Sequence, residues 1–113
     1  MLRHMVFFNL KPEVGQPERE ELFGQIRKLD EIASVGRLEI GKLLTPADPS
    51  YRNHMSADYQ YALLVDFADE AGLYAYQKDH YHVLVAQEIR KRVTEIKVLD
   101  FVVLEPVRNK AAE

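Results

Sequence analysis

Apolar positions change period several times along this chain, and each change predicts an element. Leu2 to Leu10, LRHMVFFNL, sets Leu2, His4, Val6, Phe8 and Leu10 against Arg3, Met5, Phe7 and Asn9 and stops at Lys11-Pro12, which predicts a strand with large apolar groups on both faces. From Pro17 the positions Leu22, Phe23, Ile26, Leu29 and Ile32 recur at helical spacing, and Pro17 with Glu18, Glu20 and Glu21 suits a first helical turn. Gly36 ends this helix. GRLEIGKLL then alternates, with Leu38, Ile40 and Lys42 on one face, up to Thr45-Pro46. TPADPSYRNHMSAD has no period and is expected to be an exposed, mobile loop. Tyr59 to Phe67 alternates again as a third strand. Asp69 is placed to cap a short helix through Leu73 and Tyr76. A further helix from about His80 carries His82, Val85, Ala86, Ile89 and Val93 at helical spacing, IKVLDFVVLEP is a fourth strand, and Arg108 to Glu113 reads as a frayed tail.

The order β-α-β-β-α-β, with the last helical region broken in two, is the ferredoxin-like split βαβ pattern. It predicts an α+β domain over residues 1–106, a four-stranded antiparallel sheet with helices on one face, and a tail at 107–113. Helices on one side cover one sheet face, yet the first, third and fourth strands are apolar or mixed on both. The other face, with Met5, Phe7, Leu99, Phe101 and Val103, would be an exposed apolar patch in a monomer. A second sheet covering it through a twofold homodimer is the simplest expectation.

Composition narrows the function classes. A chain of 113 residues, 47% hydrophobic and 29% charged with a net charge of -3, has the makeup of one ordinary globular domain rather than of a disordered or membrane protein. Its acidic balance carries no electrostatic footprint for nucleic acid. The basic cluster Arg90, Lys91 and Arg92 lies between Glu88 and Glu95 and is expected to be the solvated face of a helix. A chain without cysteine has no disulfide or thiolate chemistry and fits a reducing cytoplasm. No apolar run reaches the roughly 20 residues of a membrane span, and the N-terminus shows no cleavage signal. Glycine-rich phosphate loops, nucleophile elbows and dinucleotide turns are missing, so no cofactor is expected.

Three stretches, RHMVFFNLKP, VDFADEAGLYAYQKDHYH and VLDF, resemble the stress-responsive α/β-barrel family known as Dabb, and the resemblance runs from about Leu2 to Glu105. It implies a ferredoxin-like protomer whose sheet packs against a second one in a dimeric α/β barrel. In the plant polyketide cyclase of that family it also implies cofactor-free aldol chemistry in a pocket between sheet and helices. The working pair there is a first-strand histidine and a histidine after the short helix, which match His4 and His82, with a supporting tyrosine that matches Tyr76. Two departures stand out. Ile26 occupies the place of a pocket tyrosine, and the family's His-Pro-x-His reads Asp79-His80-Tyr81-His82, so a different polar network is implied.

Read from the residues, His82 begins a helical apolar stripe and should point inward, while His4 shares a strand face with Val6 and Phe8. Two imidazoles converging on an apolar cleft suit removal of an acidic C–H beside a carbonyl, and the Tyr76 hydroxyl suits the carbonyl oxygen. Phe8, Phe23, Ile26, Leu73 and Val85 are the expected apolar contacts to substrate. With Asp79 as N-cap, His82 falls at N3, where burial and helix dipole oppose the Asp79 carboxylate; a neutral imidazole is expected. Metal binding is the rival sharp reading. His80 and His82 do not share a helix face, and Asp79 with His82 would need further ligands such as His4 or His54, so no metal is expected.

The leading expectation is a homodimer that binds a small hydrophobic carbonyl compound and carries out cyclisation or isomerisation without a cofactor. One rival is a non-catalytic stress-associated binding protein whose histidines only hold the fold. Another is a cofactor-free monooxygenase or muconolactone-isomerase-like enzyme. A cavity lined by His4, Tyr76 and His82 would separate a ligand site from a filled core.

Overall fold

The computed structural model describes residues 1–45, 50 and 53–105. The centre of the expected loop, including Pro46, and the tail at 107–113 lie outside the described residues. The chain runs β1 (Leu2–Leu10), α1 (Gln16–Arg27), a 3-10 turn (Lys28–Glu31), β2 (Arg37–Lys42), β3 (Tyr61–Phe67), α2 (Glu70–Lys78), α3 (His80–Arg92) and β4 (Val93–Val102). The strands form one antiparallel sheet in the order β2-β3-β1-β4.

Local chemistry sets most of the boundaries. Pro17 stands in the first turn of α1, and the helix tightens into the 3-10 turn, so Ile32 lies just past the helical segment. Asp69 caps α2 by accepting a hydrogen bond from the Gly72 N–H at 2.9 Å. Asp79 closes α2 and caps α3, its carboxylate accepting from the Tyr81 N–H at 2.9 Å. Two strands differ from the sequence reading. β3 begins at Tyr61 because side chains take over the ladder there: the Gln60 N–H donates to Asn9 Oδ1 at 2.7 Å and the Leu10 N–H to Gln60 Oε1 at 3.0 Å. β4 begins at Val93, earlier than expected, because α3 passes into extended backbone with no intervening loop.

Leu2, Val6, Phe8 and Leu10 of β1 and Leu63, Val65 and Phe67 of β3 form the core with Leu22 and Ile26 of α1, Leu73 and Tyr76 of α2, and Val85 and Ile89 of α3. Each such side chain contributes roughly 1.5–3 kcal/mol when fully buried. α2 packs on β1 and β3. β4 is exposed along nearly its whole length. On the open side this is the expected patch, where Leu99 and Phe101 stand beside Met5 and Arg3 in register. On the helix side the exposure of Ile96, Val98 and Val102 was not expected, and it follows from the helices lying over the middle strands. The basic cluster also differs from a plain solvated face. Arg92 is half-buried and bridges Glu18 at 2.7 Å and Glu88 at 2.6 Å, tying α3 to α1.

Candidate active site

Three elements bring His4, Tyr76 and His82 together. His4 is buried at 5% exposure on β1, among positions that alternate into the core. Tyr76, on the inner face of α2, is 1% exposed. Its ring centroid lies 6.0 Å from that of His4 and 4.3 Å from that of His82. The break at Asp79 makes this possible, since it restarts the helix so that His82 returns toward Tyr76 one turn later.

All three line a cavity of about 200 Å³ between sheet and helices. Val85 is on its wall too, with Val6, Leu63, Ala86 and Ile89. The other expected substrate contacts lie elsewhere. Phe8 and Ile26 are fully buried and Leu73 is buried in the core, while Phe23 packs edge-on against Tyr61 at 5.1 Å. The reason is volume: Phe8, Phe23 and Tyr61 form a mutually touching aromatic group that fills its end of the core.

Each histidine has its Nδ1 engaged. His82 Nδ1 lies 3.2 Å from the Gln77 carbonyl oxygen, which only accepts, so Nδ1–H donates and the neutral ring keeps its lone pair at Nε2. Burial pushes the His82 pKa below the ordinary histidine value. The Gln77 hydrogen bond and the Asp79 carboxylate pull it back up, while neighbouring His4 and the Arg90 guanidinium push it down. The net direction is downward, toward the neutral base. Tyr76 is shifted the opposite way in chemical effect. Burial raises its pKa, so the phenol keeps its proton and can donate it in a hydrogen bond.

Sequence reasoning missed Asp100. It stands directly across from His4 in the β1–β4 register, and its Oδ1 is 2.5 Å from His4 Nδ1. A carboxylate fixes the tautomer and orientation of an imidazole in this way. The available signal was a single acid inside the apolar run VLDFVV, on the same alternation as Val98. Gln77 and Arg90, also on the cavity wall, were missed as well.

The other rings and histidines around Tyr76 and His82 separate by exposure. Tyr74 and His80 are exposed, as is His54. Tyr81 is half-buried and donates its hydroxyl hydrogen to the Gln25 carbonyl at 2.9 Å, pinning α3 to α1. Asp79 is occupied by its cap. Among the described residues no three His, Cys, Asp or Glu side chains are grouped to hold a metal ion.

An antiparallel β2-β3-β1-β4 sheet with helices on one face defines a ferredoxin-like α+β protein. The chain belongs to the Dabb family, whose model, the Stress responsive A/B Barrel Domain, matches residues 2–103. It is similar to a hydroxynitrile lyase from Passiflora edulis, with a TM-score of 0.80 and 22% identity over 95% of this chain and 96% of that one. A Dabb family protein with a ferredoxin-like fold from Mesorhizobium loti gives a TM-score of 0.74 and 25% identity over 92% and 97% of the two chains. A dimeric ferredoxin-like protein from Thermobifida fusca gives 0.74 and 21% over 90% of each. No curated protein matches this sequence.

Proposed function

We propose that this protein binds a small apolar carbonyl compound in the His4–Tyr76–His82 cavity and transforms it by acid–base chemistry that needs no cofactor. The observation that carries the reading is a matched pair of groups on one apolar wall: His82 is biased toward the neutral base and Tyr76 toward the protonated acid, with their rings in contact. His82 Nε2 takes the proton from the carbon beside the carbonyl. The C–H electron pair forms a carbon–carbon double bond, and the carbonyl electrons move to oxygen, where Tyr76 O–H donates a hydrogen bond to the enolate. Where the substrate is β,γ-unsaturated the enolate is a dienolate, and return of the proton from His82 to its γ-carbon, with the double bond moving into conjugation, gives isomerisation. Attack of the enolate carbon on a second carbonyl in the same molecule, with the proton passing to the new alkoxide, gives cyclisation. His4, oriented by Asp100, faces Tyr76 and completes the polar side of the cavity. A hydroxynitrile lyase of the same fold supports the view that this scaffold carries lyase chemistry.

Proton abstraction can be measured without knowing the natural substrate. Phenylacetone in D2O should exchange its α-hydrogens faster with the protein than in buffer, and His82→Gln should slow the protein-dependent exchange by roughly 10²-fold or more. Exchange no faster than buffer would count against the catalytic reading.

The same proposal includes a homodimer formed through the open sheet face, a single domain over residues 1–106, and a cytoplasmic location, the compartment a cysteine-free chain fits. Leu99 at 43% and Phe101 at 52% exposure are large apolar groups on that face, and structural neighbours are described as dimeric. Sedimentation should show a dimer that the double change Leu99→Glu, Phe101→Glu converts to a folded monomer. An unaltered dimer would place the interface elsewhere.

A further inference from the structure

The inner face of α3 carries a charge that the acid–base reading does not use. His82, Ala86 and Arg90 follow one another at four-residue spacing, so they share a helix face, and all three line the cavity. Arg90 differs from its two basic neighbours. Lys91 pairs with Glu88, and Arg92 pairs with Glu18 and Glu88, whereas among the described residues Arg90 makes no ion pair. Nor does the cavity wall supply an acid. Its polar members are His4, Tyr76, Gln77, His82 and Arg90, and the rest are apolar. The Arg90 charge is near enough to act on His82. A guanidinium at the rim of an apolar, carboxylate-free cavity presents a planar donor fork that matches a carboxylate.

Resting on the acid–base reading of this cavity, we propose that its ligand is a keto acid, with its carboxylate held by Arg90 and its carbonyl lying against Tyr76 and His82. Geometry limits its length. Eight residues of helix separate His82 from Arg90 by about 12 Å between Cα atoms. Side chains on a helix lean toward its N-terminus, so the long Arg90 side chain spans much of that distance. A few carbon–carbon bonds between carboxylate and carbonyl remain. An apolar cavity of about 150 Å³ takes up benzene, so the cavity of about 200 Å³ here has room for a chain of about six carbons or one ring.

The test compares two probes of equal shape, 5-oxohexanoate and its neutral amide, by NMR titration followed at the His82 and Tyr76 rings. The wild-type protein should bind the acid about tenfold tighter than the amide, the size of one charge-assisted hydrogen bond. Arg90→Met, which keeps the aliphatic stem of an exposed side chain, should reduce the acid to the affinity of the amide and leave the amide unchanged. Arg90→Lys should keep part of the preference. Equal binding of acid and amide by the wild type, or a preference that survives Arg90→Met, would overturn the carboxylate assignment while leaving the ligand-binding reading in place. If neither probe shifts the His82 and Tyr76 signals, both fall together.

Discussion

The helix-covered face of the sheet has two ends that the sequence writes in similar residues and the fold uses differently. At one end Phe8, Phe23 and Tyr61 interlock, with Leu22 and Ile26 buried beside them. At the other, His4, Tyr76 and His82 surround a cavity that extends toward Ile96 and Val98 on the exposed strand β4. Both ends are rich in rings. One end is closed because three large side chains from three elements meet there. The other stays hollow because α3 presents Ala86, a small residue, between His82 and Arg90 and because β4 is left uncovered. The filled end is therefore where stability should reside, and the hollow end where chemistry should.

The largest effect that tests this contrast is on stability. Phe8→Ala removes a fully buried ring and should cost about 3–5 kcal/mol in denaturant unfolding. Val98→Ala, at 49% exposure on the cavity rim, should cost about 1 kcal/mol or less. Comparable losses at both ends would break the distinction.

The second test reverses the expectation. Tyr76→Phe should leave unfolding free energy within about 1 kcal/mol and yet slow α-hydrogen exchange by roughly tenfold or more, because it removes only the donor to the enolate. A large stability loss without a rate effect would assign Tyr76 to the core alone.

Asp100→Ala should fall between the two. It leaves the buried His4 Nδ1 without its acceptor, at a cost of about 1–2 kcal/mol, and frees the ring to turn, so both melting temperature and exchange rate should drop. Asp100→Asn, which keeps an acceptor, should recover most of the stability.

The smallest effect is the pH dependence of stability at the hollow end. The folded protein holds the His82 pKa below its ordinary value, which is near 6.5 when unfolded. As pH falls below about 6.5, the unfolded chain takes up a proton that folded His82 resists, so stability declines toward acid and is fully present above that value. Proton abstraction by neutral His82 should rise over the same direction of pH. Melting temperatures of wild type and His82→Gln between pH 5 and 8 should differ in slope; parallel curves would show that His82 is not held neutral.

Much of the fold is legible in single residues and short periods. Alternation in LRHMVFFNL and YALLVDF sets which side chains face the helices, and Asp69 and Asp79 mark two helix starts by chemistry that acts within three residues. The same local rules place His82 inward and off the helix face of His80. They do not reach Tyr81, whose hydroxyl finds its partner on α1.

What the sequence by itself determined is the order of elements, their inner faces and the family, because these follow from propensities and contacts a few residues apart. The tertiary structure alone decided that His4 meets Asp100 across 96 residues of chain, that aromatic packing closes one end of the core, and that Arg90 is turned toward a cavity while Arg92 is tied to Glu18. Strand register and the meeting of separate elements fix those outcomes, and neither is written in the period of any one segment.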